Sequence, residues 1–83
     1  MALSIGQFNA LVDGHSPALY RIAFRMMGDR HEAEDMVQET FRSAWKSREA
    51  YLEGVGDRAW LASILRRRIV DRWRRKATPP TMA

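Results

Sequence analysis

The chain reads as an all-α domain, a bundle of three to four helices, and three observations predict it. Apolar residues recur at spacings of three and four along most of the sequence, the signature of one buried helical face. Residues that cap helices stand just before those stretches, and glycine or proline stands just after them. No segment carries the period-two alternation of a strand. At 83 residues the chain is one domain.

The elements follow in order. Ser4-x-x-Gln7 has the form of a capping box and opens a first short helix bearing Ile5, Phe8, Leu11 and Val12. Gly14 and Ser16-Pro17 predict an interruption, because serine suits an N-cap and proline the first helical position. A second helix is expected from Pro17 to Met27, with Leu19, Ile22, Ala23, Met26 and Met27 on one face and Gly28 as its stop. Asp29-x-x-Glu32 caps a third helix. Its apolar stripe is Ala33, Met36, Val37, Thr40, Phe41 and Ala44, and its polar face is Asp35, Gln38, Glu39, Arg42 and Lys46. Residues 47–57 lose the periodicity and contain Gly54 and Gly56, which predicts a loop. Asp57 then caps a fourth helix whose apolar side is Leu61, Ile64, Leu65, Ile69 and Trp73. Pro79-Pro80 cannot continue it and reads as the start of a linker.

Composition excludes several classes of function. The chain has no cysteine, so no disulfide, zinc–thiolate site or thiol nucleophile is available. The longest uncharged stretch, Met1–Val12, is far short of the roughly 20 apolar residues of a membrane span and lacks the basic start of a signal peptide. A soluble, cytoplasmic protein is expected. His15 and His31 stand in no metal-ligand spacing, and Glu32, Glu34 and Asp35 read as helix-start acids that favour the macrodipole. No catalytic constellation and no cofactor or metal site is found, so an enzyme is not expected.

Charge carries the strongest signal. Arg58–Lys76 holds eight basic residues against Asp71, a net +7, whereas residues 1–57 are −3 and the whole chain is +4. Crowded arginines repel one another, and an anionic partner relieves the repulsion. Nucleic-acid phosphate is the commonest such partner. Trp60 begins that basic helix just after the glycines, where an aromatic suits stacking on an unpaired base; a place in the core is the competing reading. The polar face Asp35, Gln38, Glu39 and Arg42 is open between a solvated surface and a partner surface.

At this point the residues resemble a known family. AEDMVQETFRSAW (Ala33–Trp45), a loop, and WLASILRRRIVDRWRR (Trp60–Arg75) are similar to region 2 of bacterial sigma factors of the extracytoplasmic-function group. Ala33, Glu34, Asp35, Gln38, Glu39 and Phe41 match the first motif. Trp60, Leu61, Ile64, Asp71, Arg72, Arg74 and Arg75 match the second, and LYRIAFRMMGD (Leu19–Asp29) resembles the helix and turn before them. Two departures stand out: Arg67 occupies a position where the family often has asparagine, and Asp57 one where it tends to have an aromatic.

The resemblance implies a sigma region 2 domain over residues 1–77 and the start of an inter-domain linker at 78–83. It implies that Asp35, Gln38, Glu39 and Arg42 dock on the clamp coiled coil of the largest subunit of RNA polymerase core. It further implies that the promoter −10 element is recognised and melted, its non-template strand held with one base flipped into a protein pocket. Trp60, Ser63, Arg66, Arg67, Asp71, Arg74 and Arg75 are the expected DNA-binding residues, with Arg67 reading a guanine edge or holding a phosphate. An anti-sigma protein is a further expected partner. The family's helix-turn-helix for the −35 element has no counterpart in these residues. The rival reading is a small helical module that binds only protein, its basic helix meeting an acidic partner.

Overall fold

A computed structural model describes residues 3–51 and 56–77. They form three α-helices, α1 (Ile5–Met27), α2 (Arg30–Lys46) and α3 (Asp57–Ala77), with a 3₁₀ turn at Arg48–Ala50. The fold is all-α, at the lower of the two expected helix counts. Gly54 of the expected glycine loop, Pro79-Pro80 and the rest of the expected linker lie outside the described residues.

Local chemistry explains where the helices start and stop. The Ser4 hydroxyl accepts from the Gln7 N–H at 3.1 Å and the Ser4 N–H donates to Gln7 Oε1 at 2.9 Å, so the capping box closes both ways. Gly28 ends α1 in the left-handed region, φ 72°, with its N–H on the Phe24 carbonyl at 2.8 Å. Asp29 Oδ1 accepts from the Glu32 N–H at 2.9 Å and opens α2.

Four expectations are corrected. The two helices expected on either side of Gly14 and Pro17 are one helix of 23 residues, with Pro17 inside it. Proline removes one ladder bond and crowds the preceding turn, at about 3 kcal/mol relative to alanine. Pro17 and Gly14 both face solvent, and Leu11 lies before the proline, Leu19 and Ala23 after it, all buried in the same core. Shared burial of both halves offsets the local cost. Asp57 is the first residue of α3, not its cap. Gly56, at φ 106°, stands before it, and its carbonyl accepts from the Trp60 N–H at 3.0 Å; the Asp57 carboxylate instead accepts from the Tyr51 hydroxyl. Trp73, placed on the apolar side of the last helix, is 42% exposed: it continues the Leu61, Leu65, Ile69 line by four residues but is left uncovered near the helix end. Ile5 is likewise exposed in the first turn of α1.

The core is built by Leu11, Leu19 and Ala23 of α1, Ala33, Met36, Val37, Thr40 and Ala44 of α2, and Leu61, Ala62, Leu65 and Ile69 of α3, with Leu3 closing one end. Thr40 is fully buried without penalty, because its hydroxyl donates to the Met36 carbonyl at 2.7 Å. Helices α2 and α3 run antiparallel: Glu32 meets Lys76, whereas Ser43 shares a hollow with Ile64 and Trp60. This arrangement carries the basic helix across the bundle beside the end of α2.

Candidate nucleic-acid interface

The eight basic residues of α3 do not act alike. Arg58 Nε donates to His15 Nδ1 of α1 at 3.2 Å. Arg72 bridges two carboxylates of α2, Glu39 at 3.4 Å and Glu32 at 3.8 Å, and Lys76 Nζ reaches Glu32 Oε1 at 2.9 Å. These three cations fasten α3 to the other helices. Arg66, Arg67, Arg74 and Arg75 are exposed. Arg66, Arg67 and Arg74 line one shallow groove with Val70 and Asp71. Asp71 thus sits among cations, four residues from Arg67 and from Arg75 on the same helix.

Trp60 is half-buried, packed edge-on against Tyr51 with ring centres 5.1 Å apart at 72°. The Ser63 hydroxyl donates to the Trp60 carbonyl at 2.7 Å. A hollow of about 270 Å³ opens beside this pair between the end of α2 and the start of α3, lined by Ser43, Ser47, Trp60, Ser63, Ile64, Arg67 and Arg68. The structure therefore gathers the expected DNA-binding residues into two adjoining areas. Trp60, Ser63 and Arg67 line the hollow. Arg66, Arg67, Asp71 and Arg74 line the groove, and Arg75 follows one turn on from Asp71. Ser43, Ser47 and Arg68 were not singled out in the sequence. The signal for Arg68 was its spacing, four residues from Ile64 and eight from Trp60, which puts the three on one side of the helix.

On α2, Asp35, Gln38 and Arg42 are exposed. Glu39 lies at the edge toward α3, half-exposed and paired with Arg72. Toward α1, Gln38 and Arg42 border a second hollow whose floor is Phe8, Val12, Phe41 and Trp45. Phe41 was expected on the buried stripe; it is only half-buried, set edge-on to Phe8, and belongs to this surface. Trp45 packs on Phe8 at 5.1 Å and carries the Arg48 guanidinium 4.0 Å above its ring. The polar face of α2 thus borders an aromatic hollow that can receive an apolar side chain. Among the described residues, no cluster of three His, Asp or Glu side chains could hold a metal, and no helix is long and apolar enough to cross a membrane.

Three helices, a basic face beside an aromatic hollow and a QE-bearing polar face on the middle helix define a class, and comparison with known proteins agrees with it. The family described as Sigma-70 region 2 matches residues 11–78, and the chain belongs to that family. Its relatives narrow the group. The chain is 43% identical over 67 residues to the ECF RNA polymerase sigma factor SigL of Mycobacterium tuberculosis, an alignment covering 75% of this chain and 36% of that protein. It is 36% identical over 69 residues to SigE of Mycolicibacterium smegmatis, covering 83% of this chain and 26% of that one. It is 33% identical over 69 residues to SigW of Bacillus subtilis, covering 83% and 37%. The resemblance to region 2 of the extracytoplasmic-function group is therefore shown. The chain spans between about a quarter and just over a third of the length of these relatives.

Proposed function

We propose that this domain works in transcription initiation, joining RNA polymerase core through α2 and recognising the promoter −10 element through α3. The observation that carries the reading is the division of the basic helix. Arg58, Arg72 and Lys76 are tied to the domain's own side chains, while Arg66, Arg67 and Arg75 face solvent, Arg67 at the Trp60 hollow. Exposed cations track a phosphate backbone, and an aromatic-edged hollow next to them suits an unstacked base. One strand held with a base out of the stack is a strand kept from re-pairing, which is the chemistry that melting requires.

In this reading Asp35, Gln38, Glu39 and Arg42 contact the clamp coiled coil of the largest subunit, with the Phe8, Phe41 and Trp45 hollow taking an apolar residue from it. Residues 1–77 act as region 2 and 78–83 begin the linker. The −10 reading does not depend on a base-specific role for every arginine: Arg74 and Arg75 hold phosphate, and Arg67, at the rim shared by hollow and groove, sits where either role is served. An anti-sigma protein would compete for these same faces.

The test is fluorescence anisotropy of a labelled −10-type single strand at several salt concentrations. Binding that weakens steadily with salt supports the reading. No binding, or binding indifferent to salt, would favour the protein-only module whose basic helix meets an acidic partner.

A further inference from the structure

We infer that Arg68 is the base-selecting residue of the hollow between α2 and α3, and that it selects a base with two adjacent hydrogen-bond acceptors, guanine or cytosine. The inference rests on the proposed strand-binding role of α3 and sharpens it.

Among the described residues, Arg68 Nε is the buried side-chain nitrogen or oxygen that has no hydrogen-bond partner. A guanidinium N–H shut off from water without an acceptor is costly, and folded proteins leave few of them. The carboxylates of α2 nearest to α3 do not relieve it, because Glu32 and Glu39 are engaged by Arg72 and Lys76. An acceptor is missing from the protein at this point; Arg68 also lines the hollow, where a turn of its guanidinium would bring the Nε–H to an acceptor held there.

The hollow has the make-up to hold a flat polar ring. Trp60 and Ile64 give it an apolar wall, and Ser43, Ser47 and Ser63 complete its lining, the Ser63 hydroxyl held on the Trp60 carbonyl. Trp60, Ile64 and Arg68 follow one another at four-residue steps, so Arg68 lies one turn beyond the wall against which the ring would rest. Arg66 and Arg74, by contrast, line the outer groove. The exposed cations of the groove and the buried Nε of Arg68 are on different parts of the helix.

Donor and acceptor patterns then decide which base fits. Arginine offers donors only, in a rigid fork. Guanine presents O6 and N7 side by side, and cytosine presents O2 and N3, so either edge accepts two N–H bonds. Adenine sets its N6 amino donor beside both N1 and N7, and thymine sets N3–H between O2 and O4. A fork meeting either would oppose donor to donor. Serine hydroxyls donate or accept and do not discriminate on their own. A bidentate contact of this kind is worth about 5- to 150-fold in preference for the right base.

The experiment uses the 83-residue chain and labelled single strands of −10 type. An abasic site is walked along the strand, and the position where its loss weakens binding most receives each of the four bases. Wild type should bind guanine or cytosine there about 5- to 150-fold more tightly than adenine. Arg68→Met should erase that preference while leaving the slope of log K against log salt as it was. It should also melt at the same temperature or higher, since it removes an unpartnered buried N–H. Arg68→Lys keeps the charge but not the fork and should also lose the preference, and it carries the test if the methionine variant does not fold. A base preference that survives both substitutions overturns the inference. So does a uniform loss of affinity with a shallower salt slope, which would make Arg68 a phosphate contact. Strand binding by wild type that depends on salt but is blind to the base overturns Arg68's role and leaves the strand-binding role standing; no strand binding at all overturns both.

Discussion

Replacing Glu39 with alanine should do two things at once, and the structure says how to separate them. Glu39 sits on the proposed polymerase face, but its carboxylate is also 3.4 Å from Arg72 of α3, with the two side chains 38% and 26% exposed. Ion pairs at the surface are worth about 0.2–1 kcal/mol, and this one is half-buried, which puts it at the upper end. Arg72 retains Glu32 at 3.8 Å when Glu39 is gone, which limits the loss. Glu39→Ala should therefore cost about 0.5–1 kcal/mol, and Arg72→Ala, which severs both contacts, about 1 kcal/mol or slightly more. In a domain of this size each 1 kcal/mol lowers Tm by about 4–8 °C. A double-mutant cycle by urea unfolding should give a coupling of about 0.5 kcal/mol between the two residues. Gln38→Ala, which removes a neighbour on the same face with no partner on α3, should weaken binding to a clamp coiled-coil fragment without moving Tm. Strict additivity of Glu39→Ala and Arg72→Ala would refute the claim that this pair fastens α2 to the basic helix. A fall in clamp affinity for Arg72→Ala equal to that for Glu39→Ala would show that Glu39 acts by holding the helices together and not by touching the polymerase.

Other outcomes follow from the packing. Leu61 is fully buried, so Leu61→Ala should cost about 2–5 kcal/mol, a large share of the roughly 4–12 kcal/mol expected for a domain this long; thermal melts check it, and an unchanged Tm would mean that α3 is turned the wrong way. Pro17 is exposed within α1, so Pro17→Ala should raise stability by about 1–3 kcal/mol by restoring a helical bond. A lower Tm in that variant would show that the proline ring is packed.

Much of this fold was legible in the sequence, because its helix ends are specified by side chains next to them. Ser4 and Gln7, Asp29 and Glu32, and Gly28 each act within four residues of themselves, so spacing alone reveals them. Pro17 misled because its local cost is outweighed by burial of Leu11 on one side and Leu19 on the other, and burial is a property of the whole bundle. Trp73 misled for a related reason: the apolar period runs on past Ile69, but the helices facing it do not cover that position. The candidate site was legible as a basic helix and not as a set of roles. Nothing local distinguishes Arg72 from Arg75. The distinction comes from Glu32 and Glu39, more than thirty residues away in sequence, which antiparallel packing brings under Arg72 and Lys76. Arg68 stands in a run of three arginines, and only the structure shows that its Nε is buried and unpartnered.

The central claim is that α3 presents some of its cations to a nucleic-acid strand and spends others on the domain itself. Two double variants with the same change in net charge test it: Arg66→Ala/Arg75→Ala and Arg72→Ala/Lys76→Ala. The measurement is the slope of log K against log salt for a −10-type single strand. Each phosphate contact contributes about 0.7 to that slope, so the first variant should lower it by about 1.4, and the second should leave it near the wild-type value after correction for any unfolded fraction. Equal slopes for the two variants would mean that only total charge matters and would contradict the division of the helix; a slope unchanged in the first would mean that this face does not meet nucleic acid.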